Sequence, residues 1–415
     1  MTLKHIHLPP LTNAVMVILF VLFVGVRLIN LVDVINFGAD AGRDFLVTWN
    51  MYTHRQVTLI GPPSQYTING REFFFGPAPY YFILPALIVG KWDPIAVSYF
   101  LIFLNGVIFI ATLILISRYI KERSTLYLFA ACFIFTPAFV AYSQSYWNPY
   151  FMLPTAMLLV AFLMISKYRT KKPVWLYIVI GFLWGLGMQF HYAFLLAILV
   201  SIVWLLNSKK LSFQTVLYLF IGFVLGFLPI LLFEIRNHFY NLNTLMLVFS
   251  RTNQTQDSFM WHFYYLIPLE PFMVLVGSFL FGRFVKSNLM KLALITIYCL
   301  VCLYGVVTLP RQPLSYLILK QLTTEIIQDK PKDFNILDQL TLGNRAMAMR
   351  YMLTSQGNAP MDVTAYPASK ILYVYSIKPI AELVVTPVWE LQSFVPLNKV
   401  SVKKVDSVLL YKIEK

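Results

Sequence analysis

Apolar residues fall in long runs along this chain, broken by short polar stretches. Runs of about twenty residues occur at Thr12–Val32, Ile95–Ser117, Leu126–Tyr142, Phe151–Ser166, Val174–His191, Tyr192–Leu206, Phe213–Phe233, Trp261–Phe281 and Leu292–Thr308. Segments of that length and composition predict membrane-spanning helices rather than barrel strands, because helices satisfy their own backbone in lipid. The pattern predicts an α-helical polytopic membrane protein of about nine spans. Val174–His191 and Tyr192–Leu206 have almost no loop between them, which predicts a tight helical hairpin.

The first run is followed directly by Gly38-Ala39-Asp40-Ala41-Gly42-Arg43-Asp44, two carboxylates and a guanidinium at the mouth of a span. Such a cluster is costly unless it meets water or a partner. Phe45 to Gln56 carries Phe45, Leu46 and Trp49 at helical spacing and predicts a short helix in the interface plane. Two turns rich in Pro and Gly follow, Leu59–Pro63 and Phe74–Tyr81. Pro79–Gly90, only about twelve residues, is too short to span and predicts a second juxtamembrane helix. Residues 33–94 thus read as one outer loop with juxtamembrane helices. Beyond Arg311 the charge density rises and strand-like alternation appears at Phe334–Leu337, Ile371–Ile377, Val400–Val405 and Val408–Ile413, with a helix at Asn344–Ser355 closed by Gly357. The expected organisation is a membrane domain over 1–310 and a small extracytoplasmic α/β domain over 311–415.

Composition supports this division. Of the 415 residues 59% are hydrophobic and only 12% charged, against roughly 25% charged in soluble domains. The net charge of +15 does not call for nucleic acid. Thirteen basic residues fall in one set of short loops: Lys4, then Arg118, Lys121 and Arg123, then Lys167, Arg169, Lys171 and Lys172, then Lys209 and Lys210, then Arg283, Lys286 and Lys291. The opposite set holds six. The positive-inside rule puts the first set, and the N-terminus, in the cytoplasm, and the Asp40 loop and C-terminal domain outside the cell membrane. The first run lacks a small-residue cleavage site close behind it and reads as a retained anchor. Cys132, Cys299 and Cys302 lie inside apolar runs and read as small buried hydrophobes. No HExxH, CxxC, P-loop or GxGxxG spacing is present, so no metal, nucleotide or other cofactor is expected.

The chemistry-bearing residues gather at the outer ends of the runs. Asp40 is a candidate general base, placed between lipid and water; the alternative is a helix cap or electrostatic support. Arg43 suits phosphate or orients Asp40, or simply pairs with Asp44. Arg27 is an ionisable group within a span, either functional, or snorkelling outward, or paired with Asp33. Gln189 and His191 suit phosphate or sugar hydroxyls, against an ordinary hydrogen-bonded interfacial role. Trp147 and Asn148 suit a sugar platform, although Trp is common at interfaces. Glu234, Arg236 and His238 read as a solvated helix end, and Glu270 falls near the outer end of its run.

The order of span, Asp40-Ala41-Gly42-Arg43-Asp44, interfacial helix, and Gly76-Pro77-Ala78-Pro79-Tyr80-Tyr81 resembles the GT-C membrane glycosyltransferases. The similarity is to the bacterial branch related to protein O-mannosyltransferases and to the aminoarabinose transferases acting on lipid A, and covers roughly residues 12–310. In that family an Asp-Glu-x-Arg-Tyr-like motif follows the first span, and its Asp is taken as the base. Asp40 and Arg43 match; Ala41 and Asp44 stand at the Glu and Tyr positions. The later stretch resembles the family's Lys-Pro-Pro-Leu-x-Tyr-Trp element without its Lys. The family usually has about 11 to 13 spans, so the membrane region here reads as shortened. The resemblance implies inverting, metal-independent transfer of a sugar from a polyprenyl-phosphate donor to a hydroxyl of a protein, lipid or glycan. Asp40 would activate the acceptor. Arg43, Arg27 and His191 would face the donor phosphate. Trp49, Tyr80, Tyr81 and Trp147 would line the cavity. Asp44, Asn148 and Gln189 join them as expected substrate contacts. A lipid-linked sugar flippase would carry charges near mid-span and broken helices, and internal symmetry is not evident; a non-catalytic scaffold would tolerate loss of Asp40.

Overall fold

Apolar helices dominate the computed structural model, which describes residues 13–35, 37–169, 173–251, 262–341, 343–385 and 388–415. Every one of the nine apolar runs is helical over most of its length. Among the described residues, five helices are long and apolar enough to cross a membrane: Ile95–Ser117, Asn148–Tyr168, Phe213–Arg236, Phe263–Phe284 and Asn288–Val307. A sixth crossing arises if Arg123–Phe135 and Pro137–Gln144, bent by 55° at their junction, count as one. Asn13–Leu28, Val174–Phe190 and Tyr192–Asn207 are shorter apolar helices, so length and composition support five or six spans rather than nine. Thr12, Trp261, Lys4, Lys171 and Lys172 lie outside the described residues.

Compactness divides the chain into two units. The first comprises 1–29, 57–82 and 100–308; the second comprises 30–56, 83–99 and 309–415. The Asp40 segment therefore shares a unit with the C-terminal domain.

In the first unit, two helices approach through glycine. Val174–Phe190 carries Gly181 and Gly185, and Phe213–Arg236 carries Gly222 and Gly226. A Cβ at Gly181 would lie 2.0 Å from the Leu219 carbonyl oxygen, and one at Gly226 would lie 2.2 Å from that of Phe182. Small residues four apart let two backbones touch, which gives apolar helices in lipid a reason to associate. The hairpin β1 (Pro63–Ile68) and β2 (Arg71–Phe74) is antiparallel and turns through Asn69 and Gly70, both at positive φ, as a two-residue hairpin turn requires.

In the second unit a four-stranded sheet has the order β3-β4-β6-β5, with β3 at Phe334–Asp338, β4 at Ile371–Ser376, β5 at Lys399–Val405 and β6 at Val408–Glu414. β3 and β4 are parallel, with Phe334 opposite Ile371; the other pairings are antiparallel. β3 and β4 are almost wholly buried, whereas β5 is an exposed edge carrying Lys399, Lys403 and Lys404, the charge that discourages edge-to-edge association. Leu337, Leu372, Val374, Tyr411 and Ile413 form its core. The expected strands are all present. The helix begins later than expected, at Met347, and ends at Ser355, with Gly357 at φ +78° beyond it.

Candidate functional site

Asp40 lies in a helix and not in a loop. The helix runs Ala39–Thr53, starting six residues before the expected Phe45, with Gly38 in extended conformation as its N-cap. Asp40, Arg43 and Asp44 therefore share one face at i, i+3 and i+4. Arg43 Nη1 donates to Asp40 Oδ1 at 2.9 Å and its Nε donates to Asp44 Oδ1 at 2.8 Å. The side chains are graded in exposure: 36% for Asp40, 27% for Arg43 and 0% for Asp44. Asp40 also stands in the first turn, where the helix dipole favours an anion.

The same unit clamps this helix from behind. Gly42 lies against the start of Met347–Ser355, so closely that a Cβ would sit 2.2 Å from the Ala348 nitrogen. Phe45 makes an edge contact with Tyr351 at 5.3 Å. The Tyr351 hydroxyl donates to the Trp92 carbonyl at 2.7 Å, and burial pushes its phenol well above the usual range. Trp49 and Tyr52 both meet the Trp92 ring, at 4.6 and 5.1 Å, so Trp49 is engaged with a neighbouring indole. Asp93 accepts from the Tyr316 hydroxyl at 2.7 Å. Asp33 pairs with Arg311 at 3.8 Å.

The expected residues of the first unit have other work. Arg27 is 1% exposed and does not snorkel. Its Nε donates to Ser143 Oγ at 2.6 Å, and its terminal nitrogens donate to the carbonyls of Phe23, Ile134, Phe133 and Phe139. The reason lies in Pro137. Proline has no N–H to offer the Phe133 carbonyl four residues back, so the helix breaks at Thr136, and the guanidinium replaces the missing donor at 2.8 Å. All five of its N–H groups meet protein acceptors, which corrects the expectation of a phosphate-facing Arg27.

Gln189 is 5% exposed; its amide nitrogen donates to the Gly226 carbonyl at 2.5 Å, and its side chain fills the space where a Gly76 Cβ would stand. Asn148 is 5% exposed and donates to the Phe190 carbonyl at 2.9 Å. These amides tie the end of Val174–Phe190 to neighbouring segments. His191 closes the tight hairpin: its Nδ1 accepts from the Ala193 N–H at 3.0 Å, and its ring lies 4.7 Å from Phe75 and 5.4 Å from Tyr264. Trp147 stands edge-on to Tyr264 and Tyr150 at 4.8 and 5.2 Å. An aromatic cluster thus gathers three short 3-10 turns, Asn148–Phe151, Tyr192–Phe194 and Phe263–Leu269. Tyr80 is 2% exposed. Tyr81 donates to the Thr58 carbonyl at 2.8 Å and accepts its N–H at 3.0 Å, holding the turn ahead of β1.

One acid reads differently in sequence. Glu234 is buried, and its carboxylate accepts the N–H groups of Asn241 and Leu242 at 3.1 and 3.2 Å. It caps the following helix, Tyr240–Arg251, and is no solvated end. Asn241 then grips the Phe74 backbone through both its carbonyl and amide groups. Glu270 Oε2 is buried without a hydrogen-bond partner among the described residues.

No protein-family model matches the sequence, and no curated protein matches it. The structure is similar to ArnT from Cupriavidus metallidurans bound to undecaprenyl phosphate, with TM-score 0.60 and 10% identity over 97% of this chain and 98% of that one. It is similar also to the same protein in the apo state, with TM-score 0.58 and 10% identity over 96% and 98%. The likeness is one of fold: the chain is a multi-pass membrane protein with an ArnT-like fold, and the similarity runs through the C-terminal unit as well as the bundle.

Proposed function

We propose that this protein is a membrane glycosyltransferase that moves a sugar from a polyprenyl-phosphate donor to a hydroxyl of a protein, lipid or glycan on the outer face of the membrane. The acceptor oxygen attacks the anomeric carbon as its bond to phosphate breaks, inverting that carbon. Asp40 takes the acceptor proton, and polyprenyl phosphate leaves. The observation that carries the reading is the partly exposed Asp40 carboxylate, held by Arg43 on the helix that follows the first apolar run in sequence. The fold shared with a protein crystallised with undecaprenyl phosphate supports a lipid-linked donor. A base must lie within hydrogen-bond reach of the proton it takes, and a carboxylate at a helix start, open to solvent, meets that need better than any buried acid described above. This chain lacks the Lys of the family's element, so the donor phosphate relies on other groups.

The test uses membranes holding wild-type protein or Asp40→Asn at matched expression, supplied with undecaprenyl-phosphate sugars labelled in the sugar. Label passing from lipid to an acceptor fraction with wild type, and not with Asp40→Asn, is the expected result. Equal transfer by both removes Asp40 as base. No transfer by either, across mannose, glucose, arabinose and their amino forms, favours a flippase or a scaffold.

A further inference from the structure

We propose that Asp44 is a positioning residue: a buried carboxylate that fixes Arg43, so that the guanidinium in turn holds Asp40 in a single orientation. The inference rests on Asp40 being the base. An exposed Arg–carboxylate pair at i, i+3 is weak and leaves both side chains free to wander. Here one end is pinned. Asp44 is fully buried, and its Oδ1 accepts a hydrogen bond from Arg43 Nε–H at 2.8 Å. A guanidinium is planar, so anchoring Nε sets the plane in which Nη1 points, and Nη1 meets Asp40 Oδ1 at 2.9 Å. Asp44 itself cannot drift, because the neighbouring Gly42 and Phe45 are seated against Ala348 and Tyr351. Order passes outward from a buried acid to an exposed one.

Charge leads to the same assignment. Two carboxylates meet the Arg43 guanidinium, so its charge is already engaged, which leaves less of it for a phosphate and suits a holder for a base. Arg43 thereby moves from the expected donor contact to a holder of Asp40, and the acid that stands where the related family has Tyr acquires a reason.

The experiment measures steady-state transfer by the purified full chain, with the donor that wild type turns over, together with binding of undecaprenyl phosphate. Asp44→Leu is expected to lower kcat by about 10²-fold, the scale of a small misplacement of a reacting group, while donor KM and undecaprenyl phosphate affinity stay within about twofold. Asp44→Asn keeps an oxygen for Nε and recovers most of the rate. Arg43→Ala loses rate and regains it with millimolar guanidinium, whereas Arg43→Lys, which lacks the fork, stays slow. Unchanged kcat in Asp44→Leu overturns the proposal. So does weaker undecaprenyl phosphate binding with kcat intact in Arg43→Ala, which would make Arg43 a phosphate ligand. Should Asp44→Leu fail to fold, the guanidinium experiment decides alone: rescue supports the proposal and its absence overturns it. Full turnover by Asp40→Asn defeats the parent reading instead. Loss in Asp40→Asn beside full turnover in Asp44→Leu defeats only this one.

Discussion

Two arginines divide the molecule's polar chemistry between them. Arg27, in the bundle, meets four carbonyls and a hydroxyl. Its acceptors are neutral dipoles, its exposure is 1%, and its charge is committed to closing a break in a helix. Arg43, in the other unit, meets two carboxylates, one buried and one exposed. Its charge is shared along a line that ends at solvent. The first arrangement satisfies backbone groups that lipid cannot. The second leaves an acid in defined geometry at a surface. A buried cation in a span is a functional candidate by default, yet here the deeper of the two is the structural one.

The sharpest way to break this contrast is to remove the end of each line. Asp40→Asn removes the proposed base and little else, since the amide keeps an oxygen for Arg43. Transfer is expected to fall by about 10² to 10⁴-fold, with the detergent-solubilised melting midpoint unchanged. Arg27→Met does the reverse. It fills the volume but leaves the Phe133 and Ile134 carbonyls without their donor, at roughly 1–3 kcal/mol for each orphaned group. A fall of several degrees in the midpoint, or loss of the monodisperse species on gel filtration, is the expected outcome. Arg27→Lys, with three donors for five acceptors, recovers only part. If Arg27→Met melts like wild type and loses only turnover, Arg27 belongs with the site after all.

Much of this was legible along the chain, and the remainder fails for nameable reasons. Hydropathy located the helices because each apolar run is a local property. The four strands followed from local alternation. The positions 40, 43 and 44 already had helical spacing, but the Gly and Asp content there suggested a loop. The helix starts early because Gly42 lets Met347–Ser355 lie on its backbone, a contact three hundred residues away. Arg27 was visible; its partner, the Thr136-Pro137 break, lies in another helix, and no local pattern pairs them. Glu234 was read at the end of its own helix, whereas it caps the next one. The spacing Gly181-x-x-x-Gly185 and Gly222-x-x-x-Gly226 was a readable signal of close packing, although sequence does not say which glycine pair meets which.

That glycine seam gives a milder test of how the bundle is fastened. Gly185→Ala places a methyl group where the Phe223 carbonyl oxygen stands, 2.4 Å away, and the helices must part. Overpacking of this kind costs about 1–3 kcal/mol, so the midpoint should fall less than in Arg27→Met. Gly25→Ala, with no atom within 4 Å, serves as the neutral control. Equal midpoints for the two variants would mean that the seam yields freely, and would shift the bundle's stability towards its polar fastenings.

The smallest effect is expected where a charge pair faces water. Glu122 accepts from Ser124 at 2.7 Å and pairs with Lys291 at 3.1 Å, and those contacts, Ser124 first, hold its carboxyl below the ordinary value. Its side chain is 50% exposed, so solvent screens the pair and it contributes about 0–1 kcal/mol. Because the folded-state pKa is depressed, that contribution is complete above the ordinary value of 4.5 and is lost as pH falls through the lower folded value. Between pH 7 and pH 5.5 the wild-type midpoint should therefore owe no change to this group. Glu122→Gln should lie within about a degree of wild type at pH 7 and closer still once the pH has fallen below the lowered folded-state value, where both carry a neutral side chain. A larger gap at pH 7 would show that Lys291, itself 7% exposed, behaves as Arg27 does, as a buried cation that cannot lose its acceptor.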